Sequence, residues 1–423
     1  MNNVSAHRAF SFLRTYGYER VSCSKEERTV AEALLNECTS LGVSAQMEEF
    51  TVPCGRVSHA LLRVTSPYVK EYEVTGYERA ASTPEGGLDA EFLYVENADE
   101  VLLEQAKGKI VLVNGYLNRA TYEKLRKAEA AAILTFTGRT IDRENESDLN
   151  RCKLRETLTE PFGAIPVLNM RAASAAEIVR RGAKTAHIEL TGECYDGTSQ
   201  NVCATIPGTD KPSEVITLGG HYDSVYFSSG VHDNLSGSVI VLELLRYFAA
   251  HPPRRTLRFC WFGSEEQGLL GSKAYVKAHA DELKDCVAML NFDVAAPTLG
   301  SNHLVTLATD DALHYVTGVL REAGYGVRAR QDTYSSDCIP FADNGVPAIN
   351  LARFGANGAD YMHNRHDSLK SGYLGEHALD ITLQQGFVLL ERLANAASFP
   401  IKREITPEIR QKVDEYLFKA KKE

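Results

Sequence analysis

The chain has 423 residues and a net charge of −10, with 44% hydrophobic and 24% charged residues. That length is too great for one ordinary domain and suits two, each with its own core. The acidic balance excludes the basic footprint of a nucleic-acid binder, and no stretch approaches the ~18 apolar residues that cross a bilayer.

The opening MNNVSAHRAFSFLRTYGYERV has no apolar core behind a basic start, so no signal peptide is predicted. The 9 cysteines are scattered, with no CxxC pair, and read as small, buried, reduced hydrophobes. These features together predict a cytoplasmic protein that does not engage membranes.

In chain order, residues 4–48 carry apolar positions at helical spacing (Ala9, Phe10, Phe12, Leu13; Val30, Leu34, Leu35). Ser24 and Glu27 match a capping box for the second helix, which is predicted to end near Gly42. MEEFTV at 47–52 reads as a strand. Between about 55 and 190 short strands alternate with turns: ALLRV, AEFLYV, KIVLVNG, a helix at 121–132, AILTF, then AIPVLNM, a helix SAAEIVRRGA and TAHIEL. The charged run 139–151 reads as a solvated loop. No His/Asp/Glu constellation is visible there, so this stretch is expected to be a separate module.

From residue 198 the pattern becomes strand–loop–helix: SQNVCATIP, VITLGG, a helix from Ser236 stopped by Pro252-Pro253, TLRFCWF, a helix LLGSKAYVKAHA, VAMLNFDV, HLVTLA, a helix 311–323, GVPAINL and a helix around 376–396. The tail TPEIRQKVDEYLFKAKK is amphipathic and is expected to pack on the body. Near-continuous apolar strands such as TLRFCWF indicate burial on both faces. The expected fold class is mixed α/β, with a largely parallel central sheet flanked by helices and a smaller β-rich domain inserted in it.

The polar residues that follow these strands carry the chemistry. His221 and Asp223 follow VITLGG, Asp233 lies in the next loop, Glu265 and Glu266 follow TLRFCWF, and Asp293 ends AMLNFD. Side chains at the carboxyl ends of neighbouring strands meet where open α/β sheets bind ligands. Nitrogen and carboxylate donors together suit Zn²⁺ or a similar divalent ion. His221 reads as a ligand with Asp223 as the carboxylate that fixes its tautomer. Asp233 reads equally as a ligand or a helix cap. Adjacent glutamates at a crevice mouth suggest two roles, one binding metal and its neighbour taking a proton from the attacking water. A late ligand is sought in YMHNRHDSLKS, where His363 with Asp367 competes with His366.

The ordered segments GGHYDS, HDNLSG, SEEQGLLGS, LNFD and HNRHD resemble those of the M28 family of zinc metallopeptidases. The resemblance implies two zinc ions: one held by His221, Asp233 and Asp293, the other by Asp233, Glu266 and His363, with Glu265 as general base. It also implies a peptidase domain of residues 1–54 and 196–423, with a protease-associated-like (PA-like) domain at 55–195 resting on GKIVLVNG, AEAAAILTF and IPVLNM. Departures are Cys338 in SDCIPF, where the family often has His, and Met362 and Asn364 around His363; His232 replaces the Asp common before DN. Tyr361 is the candidate oxyanion or substrate contact.

The implied activity is an exopeptidase acting on peptides, foremost an aminopeptidase, with a homo-oligomer as a candidate assembly. A carboxypeptidase for acidic C-termini would share the ligand set and need arginines, for which Arg328, Arg330 and Arg353 are available. A single-zinc glutaminyl-cyclase-like acyltransferase and a non-catalytic binding protein on the same fold are the remaining alternatives.

Overall fold

The computed structural model describes residues 4–143, 146 and 148–419 and divides into two compact units, Met1–Val52 with Thr198–Glu423, and Pro53–Gly197. The first unit is the mixed α/β layer structure expected. Its helices are α1 (Ala6–Tyr16), α2 (Lys25–Ser40), α3 (Ser236–Ala250), α4 (Leu270–Ala278), α5 (Asp310–Glu322), α6 (Cys338–Asp343), α7 (Glu376–Asn395) and α8 (Pro407–Tyr416). Its sheet is built from β1 (Thr185–Ile206, which enters from the second unit), β2 (Lys211–His221), β3 (Arg255–Phe262), β4 (Cys286–Phe292), β5 (Gly300–Leu307), β6 (Arg328–Gln331) and β7 (Ala348–Gly355). The order is β6-β5-β7-β4-β2-β3-β1. The pairs β3·β2, β2·β4, β4·β7 and β5·β6 are parallel, and β3·β1 and β5·β7 antiparallel.

Register places the site. Phe262 lies opposite His221, and Asn291 lies opposite Gly219, so Asp293 comes level with His221. Three neighbouring parallel strands therefore end at one height. α3 is apolar almost all round and buried from Ser236 to Leu245. Its first turn lies hard against the strand ends: a Cβ added to Gly237 would sit 2.1 Å from the Phe292 carbonyl oxygen. Only glycine permits that approach, which brings the turn before α3 up to β2 and β4.

The second helix starts as expected, with Ser24 accepting the Glu27 amide, but only half the capping box forms. The Glu27 carboxylate takes the Cys23 amide at 2.7 Å and also the Ser199 hydroxyl and Ser264 amide, because α2 packs against the loop after β3. The predicted strand at 47–52 is part of a longer one, Ser44–Ser66. The tail helix α8 packs through Ile409 and Val413.

The second unit has parallel strands Leu88–Tyr94, Ile110–Leu112, Ala132–Thr137 and Val167–Arg171, with helices Arg119–Lys127 and Ala172–Arg180 among those covering it. The expected helix at 121–132 is shorter, because Glu129 turns at φ 55° and the following alanines lead into the next strand. Its sheet also carries a row that the sequence did not suggest. His59 lies 2.8 Å from Glu189, whose other oxygen lies 3.1 Å from His187, itself 3.1 Å from Asp89. Of the predicted charged loop, residues 144, 145 and 147 lie outside the described residues. Among the described residues all the cysteines are free thiols, and no helix is long and apolar enough to cross a membrane.

Candidate metal centre

Two groups of ligand atoms form at the ends of β2, β3 and β4: His221, Asp233 and Asp293, and Asp233, Glu266 and His363, each with its atoms within 4.8 Å of one another. Asp233 is common to both. Its Oδ1 lies 3.1 Å from His221 Nε2 and its Oδ2 lies 3.0 Å from His363 Nε2. His221 Nε2 is 3.7 Å from Asp293 Oδ1, and His363 Nε2 is 3.1 Å from Glu266 Oε2.

The carboxylates behind these side chains hold the loops. Asp223 accepts the amides of Glu265 and Glu266 at 3.0 and 3.2 Å, and its Oδ1 lies 3.3 Å from His221 Nδ1. Asp367 accepts the amides of His232 and Asp233 at 2.7 and 3.0 Å. Asn234 donates to the Phe292 carbonyl and accepts the Gly237 and Val294 amides, tying the Asp233 turn to β4. Ser264, Val294, Ala296 and His363 all have left-handed backbones, with φ of 53°, 63°, 79° and 60°. Such strain in non-glycine residues costs about 1 kcal/mol or more each and gathers where surrounding contacts dictate the path.

The charges are coupled. Burial opposes charge on His221, yet Glu265, Asp223, Asp233 and Asp293 push its pKa well above the ordinary value. His363 is pushed up to about 12, first by Glu266 and then by Asp233. Burial alone would raise Asp233, but the two imidazoles hold it below the usual carboxylate range. Burial raises Asp293 and Glu266, and raises Glu265 well above its usual value, with Glu266, Asp337 and Asp293 adding to the last.

The donor set fits a divalent pair. Ligands at 2.0–2.2 Å around a tetrahedral zinc lie roughly 3.4 Å apart, and the four distances from imidazole nitrogen to ligand oxygen run from 3.0 to 3.7 Å. So many buried carboxylates in one place also need positive charge beyond two imidazoles.

The expected ligands His221, Asp233, Glu266, Asp293 and His363 are thus brought together, with Asp223 and Glu265 beside them. Glu265 Oε2 lies 3.8 Å from His221 Nε2 and is not part of either ligand group. His366, the rival to His363, is exposed and lies tilted against Tyr361, 5.4 Å between ring centres. Tyr361 spends its hydroxyl on the Gly358 carbonyl of its own loop, at 2.7 Å. A second tyrosine, Tyr334, feels the site's charge: burial, then Asp293, Asp233 and Glu265, push its hydroxyl well above its ordinary value. Asp337 is also buried there, its carboxyl pushed up to about 7 by burial. Both lie in the TYSSDCIPF segment, where the serine–aspartate pair was a visible signal and the tyrosine was not.

Residues 201–379 match the peptidase family M28. That segment of the chain is therefore similar to peptidase family M28. Aminopeptidase YwaD of Bacillus subtilis is 28% identical over 342 residues, 78% of this chain and 71% of that protein. Leupeptin-inactivating enzyme 1 of Streptomyces exfoliatus is 37% identical over 190 residues, 43% of this chain and 41% of that protein, so the chain spans less than half of that relative. The solved structure of BSAP, a zinc aminopeptidase from Bacillus subtilis, superposes with a TM-score of 0.78 at 22% identity, covering 96% of this chain and all of that one. That likeness shows a shared fold; the segment matched by the family holds every residue of the two ligand groups.

Proposed function

We propose that the chain is a metal-dependent exopeptidase, an aminopeptidase that removes N-terminal residues from peptides with two zinc ions and Glu265 as general base. The observation that carries this reading is the pair of ligand groups sharing Asp233, with Glu265 beside them and outside both. His221, Asp233 and Asp293 would hold one ion, and Asp233, Glu266 and His363 the other. Ions there would supply Lewis acidity toward a scissile carbonyl and lower the pKa of a water. The names of the relatives, aminopeptidase and zinc aminopeptidase, support zinc and the N-terminal specificity.

This chain's own residues do the rest. Glu265 takes a proton as water oxygen adds to the carbonyl carbon, then delivers it to the amine nitrogen as the C–N bond breaks. Asp223 fixes the Glu265 backbone and His221 together, so base and ligand move as one piece. Tyr334, on which Asp293, Asp233 and Glu265 act, is our candidate donor to the oxyanion. The Pro53–Gly197 unit corresponds, on this reading, to a PA-like module.

The arginines speak against a carboxypeptidase for acidic C-termini. Arg353 donates to the Pro297 and Thr298 carbonyls and to Asn302, which leaves its guanidinium committed. Arg328 and Arg330 lie on β6, the sheet's edge strand, and Arg330 lies 3.6 Å from Asp332. The test is a panel of aminoacyl and C-terminal peptide substrates, with and without chelator, alongside metal counting. Chelator-sensitive aminoacyl hydrolysis with about two zinc per chain is expected. One zinc with N-terminal glutamine cyclisation, or cleavage only at C-termini, would overturn it.

A further inference from the structure

Residues 17–23 link α1 to α2, yet one of them is among the most buried side chains of the protein. Arg20 has no solvent exposure. Among the described residues no carboxylate shares its hydrogen bonds. Instead its Nε donates to the Tyr222 carbonyl at 2.6 Å, Nη1 to those of Ser229 at 2.6 Å, Tyr18 and Tyr16, and Nη2 to that of Gly230 at 2.8 Å. Tyr222 directly follows the ligand His221, and Ser229 and Gly230 shortly precede the ligand Asp233. One planar fork therefore gathers both ends of the loop that separates the first ligand from the shared one.

The backbone repeats the arrangement. The Arg20 amide donates to Ser224 Oγ at 2.9 Å, the Ser224 amide donates to the Arg20 carbonyl at 3.0 Å, and Val21 pairs with Ser224 as a parallel bridge. On either side, Glu19 accepts the Phe227 amide, and the Ser22 hydroxyl meets that of Ser264, just before Glu265. The charge is placed too: Asp367 and Asp223, the carboxylates that hold Asp233 and His221 from behind, are the anions acting most strongly on the guanidinium. A lysine would keep the charge, but its single nitrogen cannot span carbonyls fixed at such different places, whereas the guanidinium fork does so with little loss of freedom.

We propose that Arg20 is a positioning residue for the metal centre, setting the spacing of His221 and Asp233 and so the retention of the metal pair. This rests on the metal-dependent reading above. Removing outer partners of metal ligands costs about 10–100-fold in affinity or activity, and Arg20 acts one layer further out on two ligands at once.

The test uses the full chain loaded with zinc. Arg20→Lys, Arg20→Gln and Arg20→Ala are compared with wild type for zinc release to a chelator, for kcat and KM separately, and for the melting temperature of the zinc-stripped form. Zinc release at least about 10-fold faster is expected in all three, with kcat reduced and KM little changed. Guanidinium ion, entering the space left in Arg20→Ala, should slow release again where ammonium does not; a merely structural arginine would lower the melting temperature without that rescue. If the arginine variants do not fold, Ser224→Ala loosens the same strap and is expected to release zinc faster. Folded variants with wild-type zinc release overturn the proposal. A wild-type chain that binds no divalent metal would instead overturn the functional reading together with it.

Discussion

Asp223 and Glu265 are joined through the Glu265 amide, which donates to Asp223 Oδ1 at 3.0 Å, the same oxygen that lies 3.3 Å from His221 Nδ1. One buried carboxylate thereby fixes both the His221 ring and the Glu265 backbone. Asp223→Asn keeps the size but turns an N–H toward at least one of the donors it now accepts, and it removes the negative charge behind His221. Zinc affinity and kcat are each expected to fall about 10–100-fold. Chelator competition and steady-state kinetics check this, and a variant unchanged in both would show that Asp223 is dispensable.

Glu265 and Asp233 should separate by what they lose. Glu265→Gln retains two zinc ions by elemental analysis while kcat falls by about 10²–10⁴, the span of general-base catalysis. Asp233→Ala loses metal, because the residue belongs to both ligand groups. An active Glu265→Gln enzyme would remove the assignment of the base.

Two tyrosines compete for the oxyanion. Asp293, Asp233 and Glu265 act on the charge of Tyr334, whereas the Tyr361 hydroxyl donates to the Gly358 carbonyl. Tyr334→Phe is expected to lower kcat by about 10²-fold, the cost of one lost oxyanion donor, with zinc content intact. Tyr361→Phe should leave kcat nearly unchanged, and the reverse pattern would exchange their roles.

The response of stability to pH should depend on metal. Burial pushes Asp337 up to about 7 and Asp367 up to about 6, and raises Asp293 and Glu266. A carboxyl raised in the fold contributes stability below its unfolded value of about 4 and loses it as pH rises through the folded value. The zinc-stripped chain should therefore lose stability from these groups between about pH 4 and 7, while ions facing Asp293 and Glu266 favour their charged forms. Loading should also release protons. The gap in melting temperature between loaded and stripped protein is thus expected to widen from pH 5 to pH 8. A constant gap would contradict the assigned titrations.

How much of this was legible in the sequence depends on range. The apolar runs of β2, β3 and β4 and the polar residues that end them are local features, and parallel pairing carries such strand ends to one edge. The fold class and the candidate ligands follow from that. The capping box at Ser24 was equally local, but the partners of Glu27 were not: Ser199 and Ser264 are distant in the chain, and they took the carboxylate that the local pattern assigned elsewhere.

The sequence by itself determined which residue types end β2, β3 and β4 and, through ordered segments that resemble those of M28 peptidases, which of them are candidate ligands. Only the tertiary structure decided which of them meet. His363 rather than His366 reaches Asp233, the Tyr361 hydroxyl turns to its own loop, and Arg20 spends its donors on the loop between His221 and Asp233. Strand ends are set by short-range pattern, whereas loop paths are set by hydrogen bonds between segments some two hundred residues apart, and no local spacing encodes those.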